Sequence, residues 1–548
     1  MAIQLFAQQS SLMSMFTGRE LYVIPAYQRP YSWGLDQCAQ LYDDIIAAYN
    51  QKMDYFLGNV VLAVSERETG VKKPRVVDGQ QRITTIWLMY KAVSTIFPDM
   101  KVLKDALCTY NWDGSQSEKK IRSEIYESDN EATLKEIYEW DYKRMSEVLA
   151  TTLNRQGKPE FRRAGNALKT NLMFFFHRFV EFNENYGQKE LAQFLRFTLE
   201  RVTLLPIELS GTTMADAEGK ALTIFETINN RGMNLQDADI FKAKLYNKAT
   251  TEKGKKDFIE RWQTLKESCD ARGKTIDDLF RFYSHIERGL AGITRNEIGL
   301  REFFTSADSV LNRKGYEEIM DELERIDAVL QRYDMEACRE TSLAKWLQLI
   351  NIYTNAFPKY AAVAYLYRNG FDNIRELEKT MKDIVRYCYS MGSTTYVKYG
   401  IYYIIRQVMN GQKIEIVPKD VNEFSFIYLG KLKWGYALLA EYLQREAAWR
   451  HFCCDHVLSA RDIQHMGGSW SEERWEFAAD CLGNLMVAGT QKYSPNYAEK
   501  RNYYMNTCGR ELREFFMKNP EKVGYDAISE RDSIQISKII AFLKEKDN

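Results

Sequence analysis

The segment Arg75-Val-Val-Asp-Gly-Gln-Gln-Arg-Ile-Thr-Thr85 joins two stretches whose hydrophobic residues follow different patterns. Upstream, residues 56–64 form a β-rich run, and Val76 and Val77 resemble the end of a second strand. Downstream, apolar residues recur at spacings of three and four, which is typical of a helix. The residues at this spacing are Ile83, Ile86, Trp87, Tyr90, Val93 and Phe97. The segment is therefore predicted to run from a strand through a tight polar turn into the start of a helix.

The predicted turn carries groups that bind phosphate. Backbone N–H groups at a helix start have no partner within the helix and lie at its positive end, so such positions bind anions readily. Gly79 would let the backbone approach an anion closely, and Arg82 offers a planar fork of donors for phosphate oxygens. Asp78 could cap the helix or hold a metal ion. The alternative is a capped helix that carries a surface arginine.

The length and charge of the chain limit its class. With 548 residues the chain is too long for one ordinary core, which predicts about two to four domains. It carries 75 basic and 75 acidic side chains, so its formal net charge is zero. This balance argues against a protein that coats DNA regardless of sequence, whereas local basic patches stay open.

Cysteine usage and hydropathy indicate a cytoplasmic protein. Nine cysteines are scattered without a CxxC pair, which argues against a disulfide framework and against a zinc ribbon. The first residues lack a basic region followed by a long apolar run, and no window approaches about 18 consecutive apolar residues. We therefore expect neither a signal peptide nor a membrane partner.

Aromatic and polar residues alternate in the segment 21–33, Leu-Tyr-Val-Ile-Pro-Ala-Tyr-Gln-Arg-Pro-Tyr-Ser-Trp. Pro25 and Pro30 keep this segment extended and limit its use as an interior strand. Aromatic side chains near an arginine can stack on bases, or they can be ordinary packing. The candidates for DNA sensing are Tyr27, Gln28, Arg29, Tyr31 and Trp33.

A second polar turn is predicted within residues 221–244. The first helix would end before Gly232, a natural left-handed stop, and the next would start at Asp237 or Asp239. An ordinary helix–turn–helix corner is the alternative interpretation. The polar residues that this turn would display are Asn229, Asn230 and Arg231.

The remaining patterns are mostly helical. Residues 115–200 are interpreted as a helical insertion, and residues 251–430 as helical throughout, without a catalytic cluster. Residues 202–209 resemble a strand, and Pro206 within it predicts a position at the edge of a sheet.

Asp455, His456, Asn484 and Asn496 occur in an order that suits a one-metal nuclease. A neutral histidine can take a proton from water that attacks a phosphodiester, which makes His456 the candidate general base. Asp455 and Asn496 offer oxygens for a divalent metal, and Asn484 could orient the imidazole. The alternative is a histidine packed beside a capped turn.

The geometry of this set depends on neighbouring strand positions. Asp455 and His456 would point to opposite faces of a strand, so that both could serve one phosphate only with a twist or a bulge. A helix after Pro495 would complete a ββα unit.

Three segments together resemble a known family, the N-terminal domain of GmrSD-type and SspE-type restriction proteins. That domain is similar in fold to ParB and sulfiredoxin, and its Asp-Gly-Gln-Gln-Arg segment is associated with nucleotide binding and hydrolysis. The motifs in this chain are Ile24-Pro25…Tyr27-Gln28-Arg29…Tyr31…Trp33, Asp78-Gly79-Gln80-Gln81-Arg82…Thr84-Thr85, and Phe225-Glu226…Asn229…Arg231-Gly232…Leu235…Asp239…Lys242.

The C-terminal set resembles the family's HNH nuclease domain. The shared features are an Asp-His strand, a Leu-Gly-Asn-Leu segment and a later asparagine before a lysine. The chain departs from the family at Ser459, where the family usually has proline.

The resemblance implies a predominantly helical α+β protein of three parts. These would be a ParB-like nucleotide-binding and DNA-sensing domain over 1–250, a helical linker domain over 251–430 and an HNH-like nuclease domain over 431–548. The implied nucleotide-binding residues are Asp78, Gly79, Gln80, Gln81, Arg82, Thr84, Asn229 and Arg231.

The implied activity is antiphage cleavage of modified phage DNA, controlled by hydrolysis of a nucleoside triphosphate. The cofactors would be that nucleotide, whether GTP, ATP or another, and Mg²⁺ or another divalent metal. A homodimer is compatible with the sequence, which does not determine the oligomeric state. Two alternatives stay open: a nucleotide-dependent DNA-binding switch with a degenerate nuclease end, and a pure DNA-binding interaction protein.

Overall fold

The computed structural model folds into two compact units, Met1–Thr264 with Arg313–Glu317 and Leu265–Asn312 with Glu318–Asn548. Helices predominate, and the chain also forms a mixed sheet. This composition confirms the expected predominantly helical α+β class. The residues that the structure describes are 5–66, 71–110, 113, 115–125, 130–229, 237–295, 297–391, 394–415, 430–466, 470–493 and 496–545.

The strands are β1 Leu5–Ala7, β2 Ser10–Ser11, β3 Tyr22–Ile24, β4 Tyr55–Ser65, β5 Arg75–Asp78, β6 Cys108–Tyr110, β7 Gln116–Lys119, β8 Ile121–Ser123, β9 Val202–Gly211, β10 Cys453–His456 and β11 Leu485–Ala488.

The helices that lie wholly in the first unit are α1 Leu12–Thr17, α2 Leu35–Gln51, α3 Gln80–Ser94, α4 Lys101–Leu107, α5 Asn130–Tyr138, α6 Tyr142–Thr152, α7 Ala167–Tyr186, α8 Gln188–Arg201, α9 Met214–Asn229 and α10 Asp237–Lys248. Further helices are α11 Glu252–Ala271, α12 Ile276–Leu290, α13 Leu300–Thr305, α14 Val310–Arg313, α15 Tyr316–Ala337, α16 Ser342–Ile352, α17 Phe357–Asn369, α18 Ile374–Ser390, α19 Thr394–Met409, α20 Lys433–Tyr442, α21 Ala460–Met466, α22 Glu472–Asp480, α23 Tyr497–Tyr504, α24 Arg510–Lys518 and α25 Tyr525–Lys544. None of the helices in the described ranges is long and apolar enough to cross a membrane.

The first unit is built around a mixed sheet with the strand order β1-β9-β4-β5-β3-β8, and β2 also pairs with β9. β4 runs parallel to β9 and antiparallel to β5, while β3 is parallel to both β5 and β8. Helix α3 follows β5 directly and is buried along almost its whole length. The predicted order of strand, turn and helix around residues 75–85 is therefore confirmed.

Helix α3 forms part of the core of this unit. Ile83, Ile86, Trp87, Tyr90 and Val93 are all completely buried, as their spacing predicted. The helix ends at Ser94, so Phe97 lies beyond it and packs against the same core from a turn.

β9 is not an edge strand, contrary to the prediction from Pro206. It is flanked by β4 on one side and by β1 and β2 on the other. Pro206 is tolerated because its neighbour is interrupted there: β1 pairs with Ile207–Leu209, and β2 pairs with Thr203 and Leu204. A proline lacks the N–H that a continuous neighbouring strand would require.

The predicted insertion over 115–200 is helical only from Asn130 onward. It begins with β7 and β8, and β8 completes the main sheet by pairing with β3. Residues 251–415, where described, are mostly helical, and the prediction of helix throughout fails only at the connecting segments such as 410–415.

In the second unit, β10 and β11 form an antiparallel pair near the C-terminus. In the chain, α21 and α22 lie between the two strands, and α23 follows β11. The predicted ββα unit stays a prediction. α25 packs beneath the turn that enters β11. This arrangement positions the C-terminal candidate residues.

Candidate functional site

The turn between β5 and α3 lines a cavity of about 200 Å³ in the first unit. The cavity brings together nine of the residues predicted for nucleotide binding or DNA sensing. Its lining consists of Tyr27, Gln28, Arg29, Trp33, Val77, Asp78, Gly79, Gln80, Gln81, Arg82, Leu222, Phe225, Asp239, Ile240 and Ala243. The second unit has a larger cavity, of about 970 Å³, which none of the predicted residues lines.

Gly79 is required by the packing of the turn. Its φ of +90° lies in the left-handed region, which favours glycine. A Cβ atom there would lie 2.9 Å from Val60 Cγ2 and 3.3 Å from the Asn59 carbonyl oxygen. The turn therefore lies directly against β4. Gly79 offers no side chain to cap α3, so its first N–H groups stay available to the cavity.

The two glutamines of the turn hold the aromatic segment against α3. Gln80 Nε2 donates to the Arg29 carbonyl at 2.8 Å. Gln81 Oε1 accepts from the N–H groups of Ser32 and Trp33 at 2.9 and 3.1 Å, and its Nε2 donates to Pro30 O at 3.2 Å. Both side chains are buried. Their amides thus support the wall of the cavity.

Among the DNA-sensing candidates, Gln28 and Tyr31 are held by hydrogen bonds to the turn and to α3, whereas Arg29 and Trp33 face the cavity. Gln28 Nε2 donates to the Val77 carbonyl at 2.8 Å, and Tyr31 is buried with its hydroxyl 2.7 Å from Thr85 Oγ1. Tyr31 does not line the cavity, so its position is that of a packing residue. Arg29 is exposed and Trp33 is half-buried, and both face the cavity.

Charge at the cavity comes from the carboxylates of Asp78 and Asp239 and from the guanidinium groups of Arg29 and Arg82. Burial raises the pKa of Asp78, and the neighbouring Arg82 and Arg29 oppose that rise. Arg82 also donates from Nη1 to the Asn59 carbonyl at 2.8 Å, which fixes the guanidinium beside the turn. The guanidinium groups suit an anion, and the carboxylate oxygens beside them suit a hard cation.

Of the three remaining predicted nucleotide-binding residues, the structure describes the side chain of Thr84 and shows it outside the cavity lining. Thr84 is buried, and its Oγ1 has no hydrogen-bond partner among the described atoms. Asn229 ends α9, but its side chain lies outside the described residues, as does the whole of Arg231. Their roles stay predictions.

The site also includes residues that we did not assign from the sequence. Leu222 and Phe225 of α9 and Asp239 and Ile240 of α10 also line the cavity. In the sequence, Asp239 was identified only as part of the third motif and as a candidate start of a helix. Its proximity to Asp78 follows from the packing of α10, which no local pattern encodes.

A buried polar cluster lies behind the cavity. Tyr27 is almost fully buried, and its hydroxyl donates to Glu218 Oε1 at 3.4 Å. Arg75 pairs with the same Glu218 oxygen at 3.2 Å and with Glu124 at 3.3 Å. Tyr27 therefore joins the cavity wall to a salt-bridge network rather than presenting a free ring.

In the second unit, Asp455 and His456 occupy adjacent positions of β10. They pair with Met486 and Leu485 of β11, and Asp455 is buried whereas His456 is half-buried. The His456 ring lies 5.1 Å from the Trp434 ring in an edge-on arrangement.

Asp455 is held by charged and polar partners. Its Oδ1 accepts from the His456 N–H at 2.9 Å and lies 3.5 Å from Lys492 Nζ. Its Oδ2 accepts from the Tyr504 hydroxyl at 3.2 Å and lies 3.5 Å from Lys500 Nζ. Lys500 also donates to the His456 carbonyl at 3.0 Å. The Asp-His strand is therefore tied to α23.

Asn484 bonds to the backbone just after His456. The Asn484 side chain is paired on both polar atoms with Leu458, and the backbone carbonyl of Asn484 accepts from Val457 N at 2.7 Å. The structure thus gives Asn484 a role in holding the chain after β10. Its predicted contact with the imidazole stays a prediction.

Two residues of α25 were missed by sequence reasoning. Arg531 donates from Nη1 to the carbonyls of Leu482 and Leu485 at 3.3 and 2.8 Å, and Asp532 accepts from Gly483 N at 3.1 Å. A buried arginine and aspartate on a C-terminal helix carry no motif that would connect them to this turn.

The presence of serine at position 459, where the related family usually has proline, has a structural explanation. Its hydroxyl accepts from Asp462 N at 3.2 Å, and Asp462 Oδ2 accepts from Ser459 N at 2.9 Å. This reciprocal pair caps the start of α21, which follows β10. A proline could not supply the N–H.

The predicted metal ligands carry oxygen atoms of the kind that bind divalent ions, but Asp455 is already paired with Lys492 and Lys500. Asn496 caps α23 by accepting from Glu499 N at 3.1 Å, and an amide oxygen retains a second lone pair. Asp455 would have to exchange its Lys492 contact for the ion. Among the described residues, no group of three or more His, Cys, Asp and Glu side chains could hold a metal.

Comparison with known families finds a match that lies within the first unit. Residues 11–246 match the model of the GmrSD restriction endonuclease N-terminal domain. The match contains the cavity at the β5–α3 turn and supports a GmrSD-type restriction protein, as the three motifs predicted. No curated protein matches the chain.

Proposed function

We propose that the protein is a phage-defence restriction endonuclease that binds a nucleotide at the β5–α3 cavity and cuts DNA with its C-terminal region. One observation carries the proposal. The Asp-Gly-Gln-Gln-Arg turn lies in a cavity with Arg29 and Arg82, inside the region that matches the GmrSD N-terminal domain. The relation to SspE-type proteins and the ParB-like fold are part of the same proposal.

The cavity suits the phosphate end of a nucleoside triphosphate. The first turn of α3 has no side-chain cap, so its N–H groups can donate to phosphate oxygens, and Arg82 adds a charged donor. Asp78 and Asp239 provide oxygens for the Mg²⁺ that accompanies the nucleotide. Leu222 and Phe225 offer an apolar wall for the base.

Arg29 would connect this cavity to DNA. Its carbonyl is bonded to Gln80, while its guanidinium is exposed at the cavity edge. A DNA phosphate or a modified base that contacts Arg29 would shift the segment that Gln80 and Gln81 hold. We propose that modified DNA controls nucleotide hydrolysis by this route.

The DNA cut is assigned to the HNH-like region around His456. Water attacks the phosphorus, its proton passes to His456, and one P–O ester bond breaks; the leaving oxygen takes a proton from solvent water, which gives a phosphate and a hydroxyl terminus. A divalent ion held by Asp455 and Asn496 would neutralise charge on the phosphate when bound. Asn484 keeps the segment after His456 in place.

A DNA-binding switch with an inactive nuclease end is the alternative function. It is favoured by one observation: Asp455 forms ion pairs with Lys492 and Lys500, as in a structural salt-bridge cluster. In that case nucleotide hydrolysis would respond to DNA, but no strand would be cut.

The deciding experiment is a plasmid-cleavage assay. Modified and unmodified plasmids are incubated with the full-length protein, each with and without nucleoside triphosphate and divalent metal, while nucleotide hydrolysis is measured in parallel. Cleavage of modified DNA that requires both additions is expected. Hydrolysis without any cleavage would support the switch, and the absence of both would refute the proposal.

A further inference from the structure

Trp33 is the least buried aromatic residue that lines the β5–α3 cavity. The ring of Tyr27 packs against the ring of Tyr246, with 5.4 Å between the ring centroids, and Phe225 is 4% exposed. Trp33 is half-buried, and within the described part of the chain its ring forms no aromatic pair. An indole at the wall of a cavity offers a surface on which a flat aromatic ligand can stack.

The backbone of Trp33 is held by side chains of two different helices. Its N–H donates to Gln81 Oε1 of α3 at 3.1 Å, and its carbonyl accepts from Asn171 Nδ2 of α7 at 2.7 Å. Both of these side chains are buried. Because the N–H and the carbonyl are both fixed, the direction in which the indole leaves the backbone is fixed as well.

Asn171 forms a second hydrogen bond within the same segment. Its Nδ2 also donates to the Tyr31 hydroxyl at 3.0 Å, and that hydroxyl lies 2.7 Å from Thr85 Oγ1 of α3. Asn171 is completely buried and does not line the cavity. Any effect of Asn171 on a ligand in the cavity would therefore act through the segment that contains Tyr31 and Trp33.

The rest of the lining defines the class of ligand. The uncapped start of α3 and the guanidinium group of Arg82 suit phosphate oxygens, and Trp33 adds an aromatic face in the same cavity. A ligand that carries both phosphate groups and a flat aromatic ring is a nucleotide.

We propose that Trp33 stacks on the base of the bound nucleotide and that Asn171 is a positioning residue, which holds Trp33 in place for this contact. The inference rests on the proposed function, because it concerns the nucleotide that we assign to this cavity. It gives the helical insertion a part in nucleotide binding, since Asn171 belongs to α7.

The test compares ligands with and without a base. Full-length protein is titrated in a calorimeter with ATP, with GTP and with inorganic tripolyphosphate, each in the presence of Mg²⁺. Tripolyphosphate carries the phosphate groups but no base. Trp33→Ala should weaken binding of the better-bound nucleotide roughly tenfold, the usual effect of removing one stacking side chain. Its affinity for tripolyphosphate should equal that of wild type.

Asn171→Ala should show the same selective loss. A residue that only stabilised the fold would change the affinities for nucleotide and tripolyphosphate equally or leave both unchanged. Asn183→Ala is the matched control, since Asn183 is a half-buried asparagine of the same helix that does not line the cavity. It should bind both ligands as wild type does. Circular dichroism checks the fold, and Trp33→Ala decides the proposal if Asn171→Ala does not fold.

A base of DNA is the other aromatic ligand that Trp33 could contact. Binding of a short duplex is therefore measured by fluorescence anisotropy in wild type and Trp33→Ala, and equal affinities are expected. Weaker duplex binding by Trp33→Ala, with unchanged nucleotide affinity, would assign the ring to DNA and overturn the inference.

Three further results have distinct meanings. Unchanged nucleotide affinity in a folded Trp33→Ala protein would overturn the stacking contact and leave the phosphate site in place. Equal losses for nucleotide and tripolyphosphate in Asn171→Ala would overturn its positioning role. If wild type bound none of the three ligands, the proposed nucleotide site itself would be refuted, and the inference with it.

Discussion

Asn484 Nδ2 donates to the Leu458 carbonyl at 3.0 Å, and Asn484 Oδ1 accepts from the Leu458 N–H at 2.8 Å. One side chain thus satisfies both backbone groups of a residue 26 positions earlier in the chain. Because Leu458 lies two residues after His456, this pair sets the path by which the chain leaves β10.

Asn484→Ala should destabilise the second unit. Two buried backbone groups of Leu458 would lose their partners, which costs about 1–3 kcal/mol for each unsatisfied group. Chemical denaturation of the full-length protein measures the change. Asn502→Ala, at an exposed asparagine, is the control and should change stability by less than about 0.5 kcal/mol. A loss no larger than that of the control would contradict this role of Asn484.

Arg82→Ala should weaken nucleotide binding. The loss of one charge-assisted contact is worth roughly 1.5–3 kcal/mol, which is about tenfold to more than a hundredfold in affinity. Isothermal titration calorimetry with a nucleoside triphosphate checks this. Arg19→Ala, at an exposed arginine that does not line the cavity, should bind as wild type does. Unchanged affinity in a folded Arg82→Ala protein would remove the nucleotide from this cavity.

Arg29→Ala should reduce DNA sensing while the fold stays intact, since the Arg29 side chain is exposed. We expect lower protection against phage and less stimulation of nucleotide hydrolysis by DNA. Gln28→Ala is a less specific change, because Gln28 also bonds to the Val77 carbonyl. Full protection and unchanged stimulation in both variants would make this segment structural only.

His456→Ala should lower DNA cleavage by about 10²–10⁴, the usual contribution of a general base. Nucleotide hydrolysis should persist, because the Arg82 cavity belongs to the other unit. His451→Ala, at an exposed histidine, is the control and should cut at the wild-type rate. Wild-type cleavage by His456→Ala would exclude this histidine as the base.

Glu441 should make stability depend on pH. Burial raises the pKa of Glu441 from its ordinary value of 4.5 to about 7, against the opposing effect of Arg445. Between these two values the folded protein holds a proton that the unfolded chain has released, so stability falls as pH rises from 4.5 to 7. The loss is on the order of 1–3 kcal/mol. Thermal unfolding at several pH values should show this slope in wild type and a smaller slope in Glu441→Gln.

Several features of this protein follow from the sequence alone. The change from a β-rich run to apolar residues spaced three and four apart predicted β5, the turn and α3. The spacing of apolar residues indicates which side chains face a core, and this spacing differs between strands and helices. Gly79 was also identifiable from the sequence, because a tight turn depends on the conformation of its own backbone. The motifs around residues 24–33, 78–85 and 225–242 predicted a resemblance that the match of residues 11–246 to the GmrSD N-terminal domain supports.

Packing decided what these residues contact. The sequence predicted Gln80 and Gln81 as ligand-binding residues. In the structure their amides instead form hydrogen bonds with a segment about fifty positions away. Pro206 predicted an edge strand, and only the gap between β1 and β2 explains its place inside the sheet.

At the C-terminal region the order of residues predicted the strand with Asp455 and His456, but not their partners. The lysines at Asp455 and the α25 residues beneath Asn484 come from distant parts of the chain. Local sequence determines which backbone shapes a segment can adopt. The hydrogen-bond and charge partners of a buried polar group depend on which segments pack around it, and that is decided only when the whole chain has folded.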